Sequence, residues 1–249
     1  MGKRIASHDV LRGDDFVHVA SRLVEGVKHR YACRVIRALR RQLKSAVFGA
    51  VPQSRLIGRG PPTRRRLALT FDDGPDVMTT TYLRALDDLG VPGTFFLVGQ
   101  ACEREPALVR EYVGRGHQIA GHGYDHTSFV DLRWRGLREQ LARTAAAIGP
   151  QPTERPWVRP PYGALNARVL GQLLATGITV ALWSLDSLDF KLRDAREVAL
   201  QCSPDRVGPG EIILLHEGQQ WTLDALPRIV GGLREAGYEM VTMADLVSQ

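Results

Sequence analysis

From residue 67 to the C-terminus, short apolar runs alternate with longer amphipathic stretches, and no other feature constrains the fold as much. The strand candidates are RLALTF (66–71), GTFFLV (93–98), HQIAG (117–121), WVRPP (157–161), TVALWSL (179–185), EIILLHE (211–217) and YEMVTM (238–243). Between them apolar residues recur at helical spacing, and several of these stretches end in Gly, the usual residue just past a helix. Seven β-then-α units in series imply a parallel sheet with right-handed crossovers. An open doubly wound sheet and a barrel related to the (β/α)₈ fold both satisfy that pattern. The polar residues separate them. Asp72, Asp73, His122, Arg159, Asp186 and His216 fall at the C-terminal ends of five strand candidates. Those ends converge at the mouth of a barrel, whereas an open sheet spreads them along an edge. The closed form is expected.

Charge divides the chain in two. The net charge of +6 conceals a balance of +12 over residues 1–66 and −6 over the remaining 183 residues. A phosphate-binding domain needs a basic face of its own, so nucleic acid is not an expected partner of the main domain. Residues 1–66 read as a basic N-terminal extension and linker, and 67–249 as the catalytic domain. Within the extension, residues 28–48 carry seven basic residues and no acid. Their apolar positions recur at helical spacing, which fits a helix docked on the main domain or peripheral association with an anionic membrane face. Residues 52–66 are rich in Pro, Gly and Arg and read as a linker. Cys33, Cys102 and Cys202 are odd in number and widely spaced, which describes buried thiols and not a disulfide framework. Neither a signal peptide nor an apolar run long enough to span a membrane is visible, so cytoplasmic residence is the expectation.

The first strand candidate ends in TFDDGPD, with Asp72 and Asp73 side by side. Adjacent strand residues point to opposite faces, so both serve one site only if the backbone kinks there. Either this is a surface turn that favours Asp, or it is a two-carboxylate active site. In GHGYDH, His122 and His126 are four apart, a spacing that lets two imidazoles on a helical turn face one cation. Joined by a carboxylate from the first strand end, they make a three-ligand set with an open position, the form of a catalytic zinc site. Arg159 precedes a double Pro that fixes its direction. His216 follows four apolar residues, which is equally the context of a core histidine.

In this order, TFDDG (70–74), HGYDH (122–126), RPPY (159–162), DSLDF (186–190) and LLH (214–216) resemble the five motifs of the polysaccharide deacetylases of carbohydrate esterase family 4, the NodB-homology domain. The resemblance implies an irregular (β/α)₇ barrel. It also implies that Asp73, His122 and His126 hold one divalent metal ion, zinc first, with cobalt, nickel and manganese as alternatives. By the same resemblance Asp72 is the general base, braced by Arg159, and His216 the general acid, its imidazolium held by Asp186. The backbone N–H of Tyr162 serves the oxyanion, and Leu214 and Phe190 line the acetyl pocket. Phe190 stands where the family usually has Trp, Gly121 where Asn is common, and Glu217 where Asp is usual.

The implied activity is hydrolytic removal of acetyl groups from the N-acetylated sugars of an oligo- or polysaccharide containing N-acetylglucosamine, releasing acetate. O-deacetylation and N-deacylation of a lipid-linked sugar are the alternatives within that chemistry. A catalytically silent carbohydrate-binding relative is the alternative outside it.

Overall fold

The computed structural model describes Gly49, residues 51–151 and residues 153–248, and Val51–Gln249 form one compact unit. The strands are β1 (Leu56–Ile57), β2 (Arg66–Asp72), β3 (Thr94–Leu97), β4 (Gln118–Gly121), β5 (Trp157–Val158), β6 (Thr179–Ala181), β7 (Leu185–Asp186), β8 (Ile212–His216) and β9 (Glu239–Met240). The α-helices are α1 (Thr79–Leu89), α2 (Gly99–Arg104), α3 (Pro106–Gly114), α4 (Trp134–Ile148), α5 (Ala167–Ala175), α6 (Asp189–Leu192), α7 (Ala195–Gln201), α8 (Gln220–Glu235) and α9 (Met243–Val247).

Every strand pair is parallel, in the order β1-β6-β5-β4-β3-β2-β8-β7, with β9 on β2. All seven expected strands are present, and TVALWSL is split. Its first half is bonded to β5 and β1, and its second half crosses to β8, with the Ser184 N–H donating to Ile212 O at 3.0 Å. One chain segment thus spans from strands near one end of the sheet to the strand at the other, and the sheet curls into an irregular, partly open barrel.

The domain boundary expected at residue 67 is corrected. Leu56 and Ile57 form β1 against Val180 and Ala181, and the Arg55 guanidinium donates to Leu174 O at 2.7 Å. A two-residue apolar pair inside a Pro/Gly/Arg-rich stretch is too short to register as a strand in periodicity. The expectations for residues 28–48, a docked helix or membrane attachment, lie outside the described residues. Among the described residues, no helix is long and apolar enough to cross a membrane.

Strand alternation sets the geometry of the interior. In β2, Leu67, Leu69 and Phe71 pack under the helices. Ala68, Thr70 and Asp72 face the other way, into the barrel, as the two-residue period requires. Ala68 joins Phe96, Ala120, Trp157, Ala181 and Ile212 there, and Met243 and Leu246 of α9 close the lower end. The same alternation delivers Asp72 to the upper mouth.

Candidate metal centre and active site

Asp72 ends β2 buried at 3 % exposure, while Asp73 takes φ 77°. That left-handed residue is the kink the DD pair requires; it swings the second carboxylate to the same mouth. His126 (φ 61°) and Tyr162 (φ 60°) share the conformation. Non-glycine residues held there carry backbone strain of about 1–3 kcal/mol each, which the surrounding structure must offset. Gly74 is required for another reason. A Cβ at this position would lie 1.8 Å from Glu217 Oε2.

The two histidines are not on a helical turn, and that expectation is corrected. His122 and His126 sit on the loop after β4, where Gly123 at φ 80° and His126 itself reverse the chain. Their rings still meet, with centroids 5.0 Å apart. Ligand atoms of Asp73, His122 and His126 all lie within 4.8 Å of one another. His126 Nε2 is 3.1 Å from Asp73 Oδ1, and His122 Nε2 is 3.6 Å from the same oxygen. His122 Nδ1 lies 2.8 Å from Arg159 O; with Nδ1–H donating to that carbonyl, the Nε2 lone pair faces the cluster. Burial holds the His122 imidazole below its ordinary pKa, against the pull of Asp72 and Asp73. Burial acts to raise the Asp73 carboxyl, but the His126 hydrogen bond and the charges of His122, His126 and His216 outweigh it and leave the pKa lowered. A neutral imidazole, an ionised carboxylate and a second imidazole fit a divalent metal cation.

Arg159 is fully buried inside the barrel. One guanidinium nitrogen donates to Asp72 Oδ1 at 2.6 Å and to Thr70 Oγ1 at 2.9 Å, and the other to Leu182 O at 3.0 Å. The Phe96 ring lies 3.8 Å beneath its charge centre. Asp72 Oδ1 is thereby fixed, and Oδ2 is turned to the cluster, 3.5 Å from His122 Nε2.

His216 ends β8, and its partner is Asp189, not Asp186. Its Nδ1–H donates to Asp189 Oδ1 at 2.7 Å, and its backbone N–H to Asp189 Oδ2 at 2.8 Å. Asp189 has no solvent exposure and also accepts from Thr222 Oγ1 at 2.9 Å. Burial acts to lower the pKa of His216, but the Asp189 hydrogen bond and charge, with those of Asp72 and Asp73, outweigh it and leave the pKa raised. Asp186 Oδ1 instead accepts the Leu188 N–H at 2.9 Å and braces the turn into α6. The D-x-x-D spacing of residues 186–189 offered both carboxylates; only the fold of that turn distinguishes them.

These groups surround a cavity of about 360 Å³, lined also by Leu214, Tyr162, Trp183 and Phe190. Phe190 stands edge-on to His216 at 5.8 Å, and the exposed Tyr162 ring edge-on to His126 at 4.5 Å. Trp183 and Gln219 also line it, and neither was singled out from sequence. Trp183 lies in the stretch that crosses the barrel, where an aromatic at a strand break was the available signal. A larger cavity, about 550 Å³, lies beside α4 near Leu141 and Val158 and holds none of the cluster. His117, five residues before His122, is also outside it, its Nδ1 accepting the Gly93 N–H at 3.0 Å.

The family model described as polysaccharide deacetylase matches residues 59–181. A chitooligosaccharide deacetylase of Sinorhizobium fredii is 32% identical over 205 residues, covering 76% of this chain and 92% of that protein. The chain belongs to the polysaccharide deacetylase family. The peptidoglycan-N-acetylglucosamine deacetylase PgdA of Listeria monocytogenes is 33% identical over 189 residues, which are 75% of this chain but only 40% of that relative's length. A crystal structure of the Bc1960 peptidoglycan N-acetylglucosamine deacetylase superposes with a TM-score of 0.74 at 28% identity, covering 79% of this chain and 94% of that one. Deacetylase family membership agrees with the barrel and with the Asp/His/His cluster at its mouth.

Proposed function

We propose that the protein is a divalent-metal-dependent hydrolase that removes acetyl groups from N-acetylated sugars of an N-acetylglucosamine-containing glycan. The observation that carries this reading is a pair of fixed proton carriers around one cluster, Asp72 on Arg159 and His216 on Asp189. Zinc is the cation that two imidazoles and one carboxylate suit best. When bound, the ion supplies Lewis-acid polarisation of the acetyl carbonyl and acidifies water.

The chain's own residues supply the rest. Asp72 Oδ2 accepts a proton from the attacking water, its other oxygen staying on Arg159. The Tyr162 N–H serves the developing oxyanion, and Leu214 and Phe190 hold the acetyl methyl. As the C–N bond breaks, His216 gives its proton to the nitrogen, so the products are acetate and a free amine. An amide nitrogen leaves only when protonated, whereas an ester oxygen leaves more readily. An acid held in its charged form by a buried carboxylate therefore favours N- over O-deacetylation. The names of the relatives, which act on peptidoglycan and chitooligosaccharides, support the sugar class.

The test is acetate release by the full chain from chitooligosaccharides and peptidoglycan fragments, with acetylxylan and a lipid-linked N-acetyl sugar run alongside. N-acetyl substrates should be turned over, the activity should vanish on chelation, and zinc should restore it. Undiminished turnover by demonstrably metal-free protein, or release from acetylxylan alone, would refute the reading.

A further inference from the structure

The two histidines of the cluster are joined by Gly123, Tyr124 and Asp125, which belong to no helix or strand. Such a loop does not bring two imidazoles together unless something external fixes it. Gln140, on the second turn of α4 and fourteen residues beyond His126, reaches this loop with both ends of its carboxamide. Its Oε1 accepts the Tyr124 N–H at 2.7 Å and the Asp125 N–H at 3.3 Å. Its Nε2 donates to Asp125 Oδ1 at 2.8 Å, and that oxygen also accepts the Thr127 N–H at 3.0 Å. The amide orientation follows from the partners, since two N–H groups require the oxygen and a carboxylate requires the NH₂. On the opposite side, Gly123 O and Tyr124 O accept the N–H groups of Gly99 and Gln100 at 2.9 and 2.7 Å. The backbone between the ligands is therefore gripped from α2 and from α4; on the α4 side Gln140 holds both backbone N–H groups and the Asp125 carboxylate, while Arg143 reaches only the Tyr124 side chain.

We propose that Gln140 is a positioning residue for the metal centre, its carboxamide holding the 123–125 turn so that His122 and His126 are preassembled with Asp73. The inference rests on the reading of those three residues as metal ligands. Gln140 touches neither the cation nor the substrate, so its loss should weaken metal binding and spare turnover once the site is filled. Lost outer partners of metal ligands typically cost 10–100-fold in affinity.

The experiment titrates the metal-stripped full chain with Zn²⁺ against a competing chelator, and with Co²⁺ followed by visible absorption. Gln140→Ala should bind both ions at least about tenfold more weakly than the parent, while kcat at saturating Zn²⁺ stays within about twofold. Gln140→Glu keeps the acceptor for both N–H groups but sets an oxygen against the Asp125 carboxylate, so it should bind weakly as well. Adding Asp125→Asn to Gln140→Glu restores a donor–acceptor pair between the two side chains in the reverse sense, at the cost of the Thr127 N–H bond that shares the same oxygen, and should recover part of the affinity. A role confined to stabilising α4 does not produce that rescue. Parental affinity in Gln140→Ala, or a double variant as weak as Gln140→Glu, overturns the proposal. A parent that binds no metal overturns the ligand assignment, and this proposal with it.

Discussion

Replacing Arg159 by Met tests how the barrel holds Asp72. Met keeps an apolar stem over Phe96 but removes three donated hydrogen bonds, to Asp72, Thr70 and Leu182. The Asp72 carboxylate, 3 % exposed, is then left inside the barrel without its hydrogen-bonded cation, the His122 Nε2 lying 3.5 Å away. Removing one partner of a buried ion pair costs about 3–5 kcal/mol, mostly because the surviving charge is uncompensated. For a compact unit of this size each kcal/mol moves the melting temperature by about 2–4 °C, so Arg159→Met should melt between about 6 and 20 °C below the parent. Adding Asp72→Asn removes the stranded charge and should recover about 0.5–3 kcal/mol, the usual coupling between contacting polar groups. The measurement is thermal and urea unfolding by circular dichroism on metal-stripped protein, so that no added cation compensates Asp72. A single variant within about 2 °C of the parent, or a double variant less stable than Arg159→Met, refutes the argument.

Asp189→Asn should move the alkaline limb of the kcat/KM profile to lower pH, because the partner that favours His216 imidazolium loses its charge; Asp186→Asn should leave that limb in place. Dialysis and metal analysis should find the ion lost from Asp73→Asn and retained by Asp72→Asn, while Asp72→Asn loses about 10²–10⁴-fold in turnover. Burial, opposed by the Tyr112 and Thr79 hydroxyls and assisted by the charges of Asp76 and Asp73, pushes the Glu217 carboxyl up from 4.5 to about 8. The folded chain thus holds a proton that the unfolded chain releases, and this contribution to stability is complete below pH 4.5 and lost as pH rises through about 8. Glu217→Gln should therefore flatten the fall in melting temperature across that interval. An unchanged slope would show that Glu217 is ionised when buried.

Much of this was legible in the sequence because it depends on spacing. Two-residue alternation in RLALTFD places Asp72 in the barrel, and strand ends collect Asp72, His122, Arg159 and His216 at one mouth. What was not legible depends on left-handed backbone and on contacts between distant residues. The kink at Asp73 lies in its own φ of 77°, which no residue-type pattern announces. The choice of Asp189 over Asp186 depends on a turn in which Leu188 is left-handed, φ 57°. Gln140 shares no motif with the loop it grips, and β1 is too short to show a period.

The proposed base and acid share a rung. Asp72 and His216 are Cα partners in the ladder between β2 and β8, and adjacent strands run about 4.8 Å apart. The spacing of the two backbones that carry the proposed proton acceptor and donor is thus a ladder dimension, like the gauge of a track. Loop changes around Tyr162, Trp183 or Phe190 can admit a different sugar without altering it. Widening it for a bulkier acyl group would require breaking the central ladder of the barrel, so, on the proposed function, this scaffold should exchange its glycans far more readily than its acetyl group.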